Sequence, residues 1–155
     1  MNLKQIASYV ILLVVISFLL VSNNVFAGSS PTNIGINNGK LASCPSTPNC
    51  VSSQGSNPDA EHSIMPIQLN GDNLTTIAKL KQVLQSMPKN KIVKETDNYL
   101  YAQFTSKLMG FVDDVEFYLD NDTKTIQVRS ASRLGESDLG VNRQRIEAIR
   151  LKLAA

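Results

Sequence analysis

Apolar positions recur with different spacings along the chain, and each spacing predicts a different element. From Tyr9 to Val21 almost every residue is apolar. Leu74, Ile77, Leu80, Leu84 and Met87 then recur at a helical interval, with Lys79, Lys81, Gln82 and Gln85 off that stripe. This predicts an amphipathic helix over 73–87, capped at Gly71-Asp72-Asn73 and stopped by Pro88. From Lys91 the interval falls to two, the spacing of a strand with one face on a core. Ile92–Glu95 is one strand, and Asp97-Asn98 is a two-residue hairpin turn. Residues 99–107 place Leu100, Ala102 and Phe104 on one face and Tyr99, Tyr101 and Gln103 on the other. After a turn at Met109-Gly110, Phe111, Val115, Phe117 and Leu119 alternate with Val112, Asp114, Glu116 and Tyr118, and Asp113 interrupts the apolar face. A short segment over 64–69 reads as an edge strand, because Pro66 lacks a donor. Ile146, Ile149 and Leu153 mark a last helix, with Asp138 or Asn142 as its N-cap and Arg143, Arg145, Arg150 and Lys152 around the rest. The expected class is α+β: a two-layer sandwich in which two helices cover one face of an antiparallel meander of four to five strands.

The last hairpin can be given a register from its faces. A two-residue turn at Asn121-Asp122 pairs Phe117 with Ile126 and Val115 with Val128, keeping apolar residues together. A one-residue slip would set them against Gln127 and Arg129. This register predicts Asp114 opposite Arg129, Glu116 diagonal to Arg129, and Asp113 opposite Ser130.

The ends of the chain change the picture of its compartment. Lys4, the apolar run and Val25-Phe26-Ala27 have the order of an export signal over 1–27, with Gly28 as the first mature residue. The rival is a permanent anchor, which would use a span of about 20 apolar residues. Residues 28–43 are rich in Gly, Ser, Asn and Thr without apolar period, and read as a flexible spacer. Residues 44–155 then form one domain that opens on a cysteine knot. Cys44 and Cys50 are the only cysteines, and the Pro45 and Pro48 turn between them favours a disulfide in an exported, periplasmic or extracellular chain. A metal site would need further ligands, and His62 is the single histidine. The spacing is also longer than that of a redox-active pair. With 15 Lys and Arg against 13 Asp and Glu, the balance is far from that of a nucleic-acid binder or a polybasic membrane patch. Membrane contact is expected only through the signal segment.

Three strings together resemble a known family: Cys44–Ser53, Phe111–Phe117, and the stretch from Arg129 through Asn142-Arg143-Gln144-Arg145-Ile146-Glu147. The chain is similar to members of the domain-of-unknown-function 1499 family from about Leu41 to Leu153. The resemblance implies an exported or lipid-anchored envelope protein. This chain has no lipid-attachment cysteine after its apolar run, and the resemblance implies no activity.

Candidate chemistry gathers at one sheet face and one loop. The polar face carries Tyr99, Tyr101, Asp114, Glu116, Tyr118 and Arg129. It reads either as a solvated face with a cross-strand ion pair or as a site half-covered by the cysteine knot, with Arg129 at its centre. Asp113, placed among apolar residues, needs partners. It is a hydrogen-bonded staple to Ser130, Ser132 or the loop backbone, or else a general acid or base. The 129–143 stretch offers Arg133, Arg143, Asp138, Asn142 and two glycines ahead of a helix. Such a joint braces itself or holds an anion, and its spacing matches no nucleotide fingerprint. His62 reads as a surface residue. No cofactor and no metal are implied. The leading reading is a non-enzymatic module for a small or lipid-like ligand or an envelope partner. The alternatives are a hydrolase or transferase using Asp113, Asp114 or Glu116 with Arg129, and a structural accessory protein.

Overall fold

The computed structural model describes the chain except residues 1, 22–25, 56–58 and 70. Helix α1 is Leu3–Val21, and it covers the apolar run. The strands are β1 Cys50–Ser52, β2 Ile67–Gln68, β3 Asn90–Glu95, β4 Tyr99–Thr105, β5 Val112–Asp120 and β6 Thr125–Ser132. Helix α2 is Asn73–Gln85 and α3 is Val141–Ala154. The strands form one antiparallel sheet in the order β1-β6-β5-β4-β3, with β2 also on β6. The expected meander is therefore β3 to β6. Its outer edge is completed by two short strands at opposite ends of β6: β1 against residues 129–131 and β2 against 125–126.

The α+β class and the placement of both helices follow the apolar pattern. Ile77, Leu80 and Leu84 of α2 and Ile146 and Ile149 of α3 share one core with Leu100, Val115, Phe117 and Val128. Asp72 caps α2 by accepting the Thr75 N–H at 2.9 Å. The helix ends at Gln85, and the Asn90 amide donates to the Leu84 carbonyl in its last turn (2.7 Å) and to the Met87 carbonyl beyond it (2.6 Å). At the β3 edge the register shifts between Ile92 and Lys94, a bulge that spoils a flat edge.

The β5–β6 hairpin departs from its expected register. Four residues, 121–124, form the turn, so Phe117 faces Val128, Glu116 faces Arg129, Asp114 faces Ala131 and Asp113 faces Ser132. The cause is local. Asp120 Oδ1 accepts the N–H groups of Asp122 (3.0 Å) and Thr123 (3.3 Å), and Lys124 adopts a left-handed φ of 53° to close the loop. A shift of two residues preserves every face assignment while changing every cross-strand partner.

Two further segments differ from expectation. Residues of the 28–43 stretch lie against the sheet: Ile34 and Leu41 pack with Tyr99, Tyr101 and Tyr118. Gly35 reaches in with φ 118°, a backbone that favours glycine, and its N–H meets Glu116. At the start of α3 neither candidate occupies the N-cap position, which falls to Gly140 with φ 81°. Asp138 still caps from upstream: Oδ1 accepts the Gly140 N–H and Oδ2 the Asn142 N–H. Asn142 turns inward instead. The disulfide between Cys44 and Cys50 is formed.

Candidate functional site

Strand β5 carries three acids in four positions, and the alternation sends them to opposite faces. On the polar face Glu116 is fully buried. Its Oε1 accepts the Tyr99 hydroxyl and the Gly35 N–H, both at 2.8 Å, and Oε2 lies 3.3 Å from Arg129 Nη1. Two residues along, Asp114 takes a bidentate pair from Arg133, Nε and Nη2 both at 2.8 Å. It also accepts the Tyr101 hydroxyl at 2.5 Å, and Gln103 donates to that hydroxyl at 2.8 Å. Both phenols are pushed up, first by burial and then by the neighbouring carboxylates, Glu116 for Tyr99 and Asp114 for Tyr101. The Asp114 hydrogen bonds hold Arg133 more firmly protonated.

On the core face Asp113 pairs with Arg145 of α3. Arg145 Nη1 donates to Asn142 Oδ1 (2.7 Å) and Ser130 Oγ (3.0 Å), and its guanidinium lies 4.8 Å from the centre of the Phe104 ring. Asn142, fully buried, uses its amide nitrogen on the Asn49 carbonyl (3.0 Å) and Ser132 Oγ (3.1 Å). One side chain thus ties α3, β6 and the disulfide loop together. Asn142 precedes Ile146 by four residues and Arg145 precedes Ile149 by four, so both sit on the stripe the helix turns inward. That spacing could have singled out Arg145, which the sequence reading left among the outer cations.

The eight candidate residues therefore fall into separate groups. Glu116 with Arg129 and Asp114 with Arg133 lie on one face. Asp113 and Asn142 lie on the other, joined through Arg145 and Ser130. Asp138 caps α3, and Arg143 donates to the carbonyls of Ala60 (3.1 Å) and Glu61 (3.0 Å). The expected Asp114–Arg129 and Asp113–Ser130 pairs do not form, because the wider turn moved the register. The polar face is covered by the 34–41 segment, and the cysteine loop lies to its side.

The geometry constrains acid–base chemistry. Each of the three carboxylates is engaged by an arginine and at least nine-tenths buried. His62 is more enclosed than expected. Nδ1 lies 2.9 Å from the Asp59 carboxylate and Nε2 lies 3.2 Å from the Thr47 carbonyl. Acceptors at both nitrogens favour the protonated ring and raise its pKa, first through the Asp59 hydrogen bond. It ties the 59–62 turn to the disulfide loop.

Clefts border some of these residues, one beside Asp59 and His62, one beside Asp138 and Arg143, and one beside Asp113. A further groove, about 410 Å³, runs between α2, α3 and β2. Ile67, Ile126 and Leu153 form its apolar side, and Thr75, Lys79 and Arg150 its polar side. Thr76 contributes a buried hydroxyl without a hydrogen-bond partner. Among the described residues no group of His, Cys, Asp and Glu is placed to hold a metal.

Fold and site define a small α+β domain whose polar residues are spent on internal ion pairs. Residues 40–153 match the family described as a protein of unknown function, DUF1499, and the chain belongs to that family. No curated protein matches it.

Proposed function

We propose that this chain is an exported envelope protein without enzymatic activity, and that it binds a small or lipid-like molecule in the groove between α2, α3 and β2. The observation that carries the reading is the state of the acids. Asp113, Asp114 and Glu116 are each buried against an arginine, so none is free to take a proton from a substrate or attack it. The 410 Å³ groove is within the range of small-ligand sites, and it joins apolar walls to a few polar groups. The disulfide and the signal-like order of residues 1–27 support an oxidising compartment outside the cytoplasm. Among the described residues no helix is long and apolar enough to cross a membrane.

Native mass spectrometry of protein recovered from its own producing cell tests this reading. The expected spectrum shows an adduct that disappears on denaturation and is absent from a Thr75→Trp variant, which fills the groove's rim. A clean apo mass in every preparation would overturn it. The same spectra read the N-terminus, expected at Gly28.

A further inference from the structure

We infer that the end of the sheet where the 106–110 and 133–140 loops emerge is a tip that seats the domain on a lipid bilayer. The two loops leave the sheet together: Asp113 pairs with Ser132, and the Arg133 N–H donates to the Val112 carbonyl at 3.0 Å. The first loop is pinned at its base, where the Ser106 N–H donates to the Phe111 carbonyl (2.8 Å) and the Phe111 N–H to Ser106 Oγ (3.0 Å). At its crown stand Leu108, 96 % exposed, and Met109, 47 % exposed. The second loop presents Leu139, 89 % exposed, with Leu134 before it and Val141 after it, both exposed. A shallow cleft of about 150 Å³ between the loops is lined by Phe111, Leu134 and Val141 together with Asp113, Ser132 and Asp138. Apolar side chains thus crown two neighbouring turns, where polar residues and glycine are usual.

Leu139 is the most informative of them. Its φ is 55°, a left-handed backbone that glycine or asparagine adopts at much lower cost than a bulky residue. Its side chain is left almost wholly outside the fold. In water a leucine here is unfavourable in both backbone and side chain, and contact with hydrocarbon removes the second penalty.

The chain itself points to a bilayer as the occupant. Its most apolar run, Tyr9–Val21 within α1, feeds into the domain at this end. Phe26 lies on Phe111 with ring centroids 5.1 Å apart. Gly28 passes so close that a Cβ there would come within 2.8 Å of Arg133 Cβ and 3.0 Å of Leu134 Cγ. Before cleavage, an export segment engaged with a membrane therefore brings this end of the sheet towards it. Lys107 stands beside one loop, and Glu136 and Asp138 stand in the other, so the tip carries no cationic excess. The contact is hydrophobic and independent of anionic headgroups.

The chain contains no tryptophan, so one introduced residue reports one place. Chain beginning at Gly28, the form left by cleavage, is given Leu108→Trp and mixed with phosphatidylcholine vesicles, some made with lipids brominated on their acyl chains. Its emission is expected to shift to the blue and to be quenched by the bromolipids. A reporter at Asp122→Trp, in the turn at the opposite end of the sheet, is expected to stay unquenched. Adding Leu139→Asn to the Leu108→Trp chain should raise Tm by relaxing the backbone, yet reduce quenching roughly threefold or more. A leucine needed only for folding would lower Tm. Exchanging part of the phosphatidylcholine for phosphatidylglycerol should leave the quenching unchanged. Equal quenching of the two reporters, or none at Leu108→Trp, would overturn the inference. So would a vesicle-free blue shift growing with protein concentration, which would assign the tip to a second copy.

Discussion

Both faces of β5 and β6 bury most of their residues, and the two are held in different ways. On one, Phe117 and Val128 are sealed by α2 and α3. On the other, their sequence neighbours Glu116 and Arg129 are sealed by a segment without regular secondary structure, Ile34 to Leu41, whose backbone supplies a hydrogen bond to the carboxylate. The first face is stabilised by removing apolar area from water, which is tolerant of direction. The second contains charges, and it holds only while every partner stays in place. A strand can thus be buried on both sides without an all-apolar sequence when each charge on its polar side meets an opposite one, even though Arg129 Nε is buried there without a hydrogen-bond partner.

Two neighbouring substitutions should have the largest effects and put the comparison at risk. Phe117→Ala is expected to lower stability by about 3–5 kcal/mol through loss of packing. Glu116→Gln, which leaves Arg129 as an uncompensated buried charge, should cost about 3–5 kcal/mol as well. The double variant Glu116→Leu with Arg129→Met should recover only part of the second loss, because it strands no charge but removes the acceptor of two buried donors. A remaining deficit of about 1–3 kcal/mol per group comes from the orphaned Tyr99 hydroxyl and Gly35 N–H. Urea titration measures all three. A Glu116→Gln cost below about 1 kcal/mol would mean the polar face behaves as an exposed one.

The disulfide links the cysteine loop to β1, and its effect should be smaller. Replacing Cys44 and Cys50 by Ser is expected to cost about 2 kcal/mol, as a short loop closure predicts, with the same urea slope. Gly35→Ala tests the cover itself. Forcing a side chain onto φ 118° should cost about 1–3 kcal/mol and expose Tyr99, read by tyrosine fluorescence quenching with acrylamide.

The smallest effect concerns His62 and Asp59. The folded pKa of His62 lies above its ordinary value of 6.5, and that of Asp59 below its ordinary 3.8. The histidine's contribution is complete below 6.5 and disappears as pH rises through the raised value. The carboxylate's contribution is present above 3.8 and is lost as pH falls through the lowered one. The latch is therefore strongest between these ordinary values. Tm should fall slightly on going from about pH 6 to about pH 8, and His62→Gln should remove that step. An unchanged pH profile in the variant would show that the pair does not couple to folding.

Much of the fold was legible because hydrophobic period is a local signal. Leu74 to Leu84 and Ile146 to Leu153 marked two helices, and Leu100, Val115, Phe117 and Val128 marked the face they cover. Faces survive a two-residue error in register, which is why the β5–β6 hairpin was read correctly in pattern and incorrectly in partner. What moved it was a side chain, Asp120, folding over its own turn. Asn142 was legible as important and misread in role, because cap and core positions lie within one helical turn of each other. The covering role of residues 34–41 was missed because the two apolar residues that pack on the tyrosines, Ile34 and Leu41, are seven apart with no period to announce them. Asp113 stood out from its strand as a carboxylate in need of a partner, whereas Arg145 lies 32 residues away and only the docking of α3 brings it there.

The residue order alone settled which side chains share a face, where the cysteines close a loop and that three acids crowd one strand. Tertiary structure decided which arginine each acid meets and that β5 and β6 are covered on both faces. The reason is physical: alternation and helical period are properties of a few consecutive residues. Ion pairing in a buried place depends on segments far apart in the chain arriving together and excluding water.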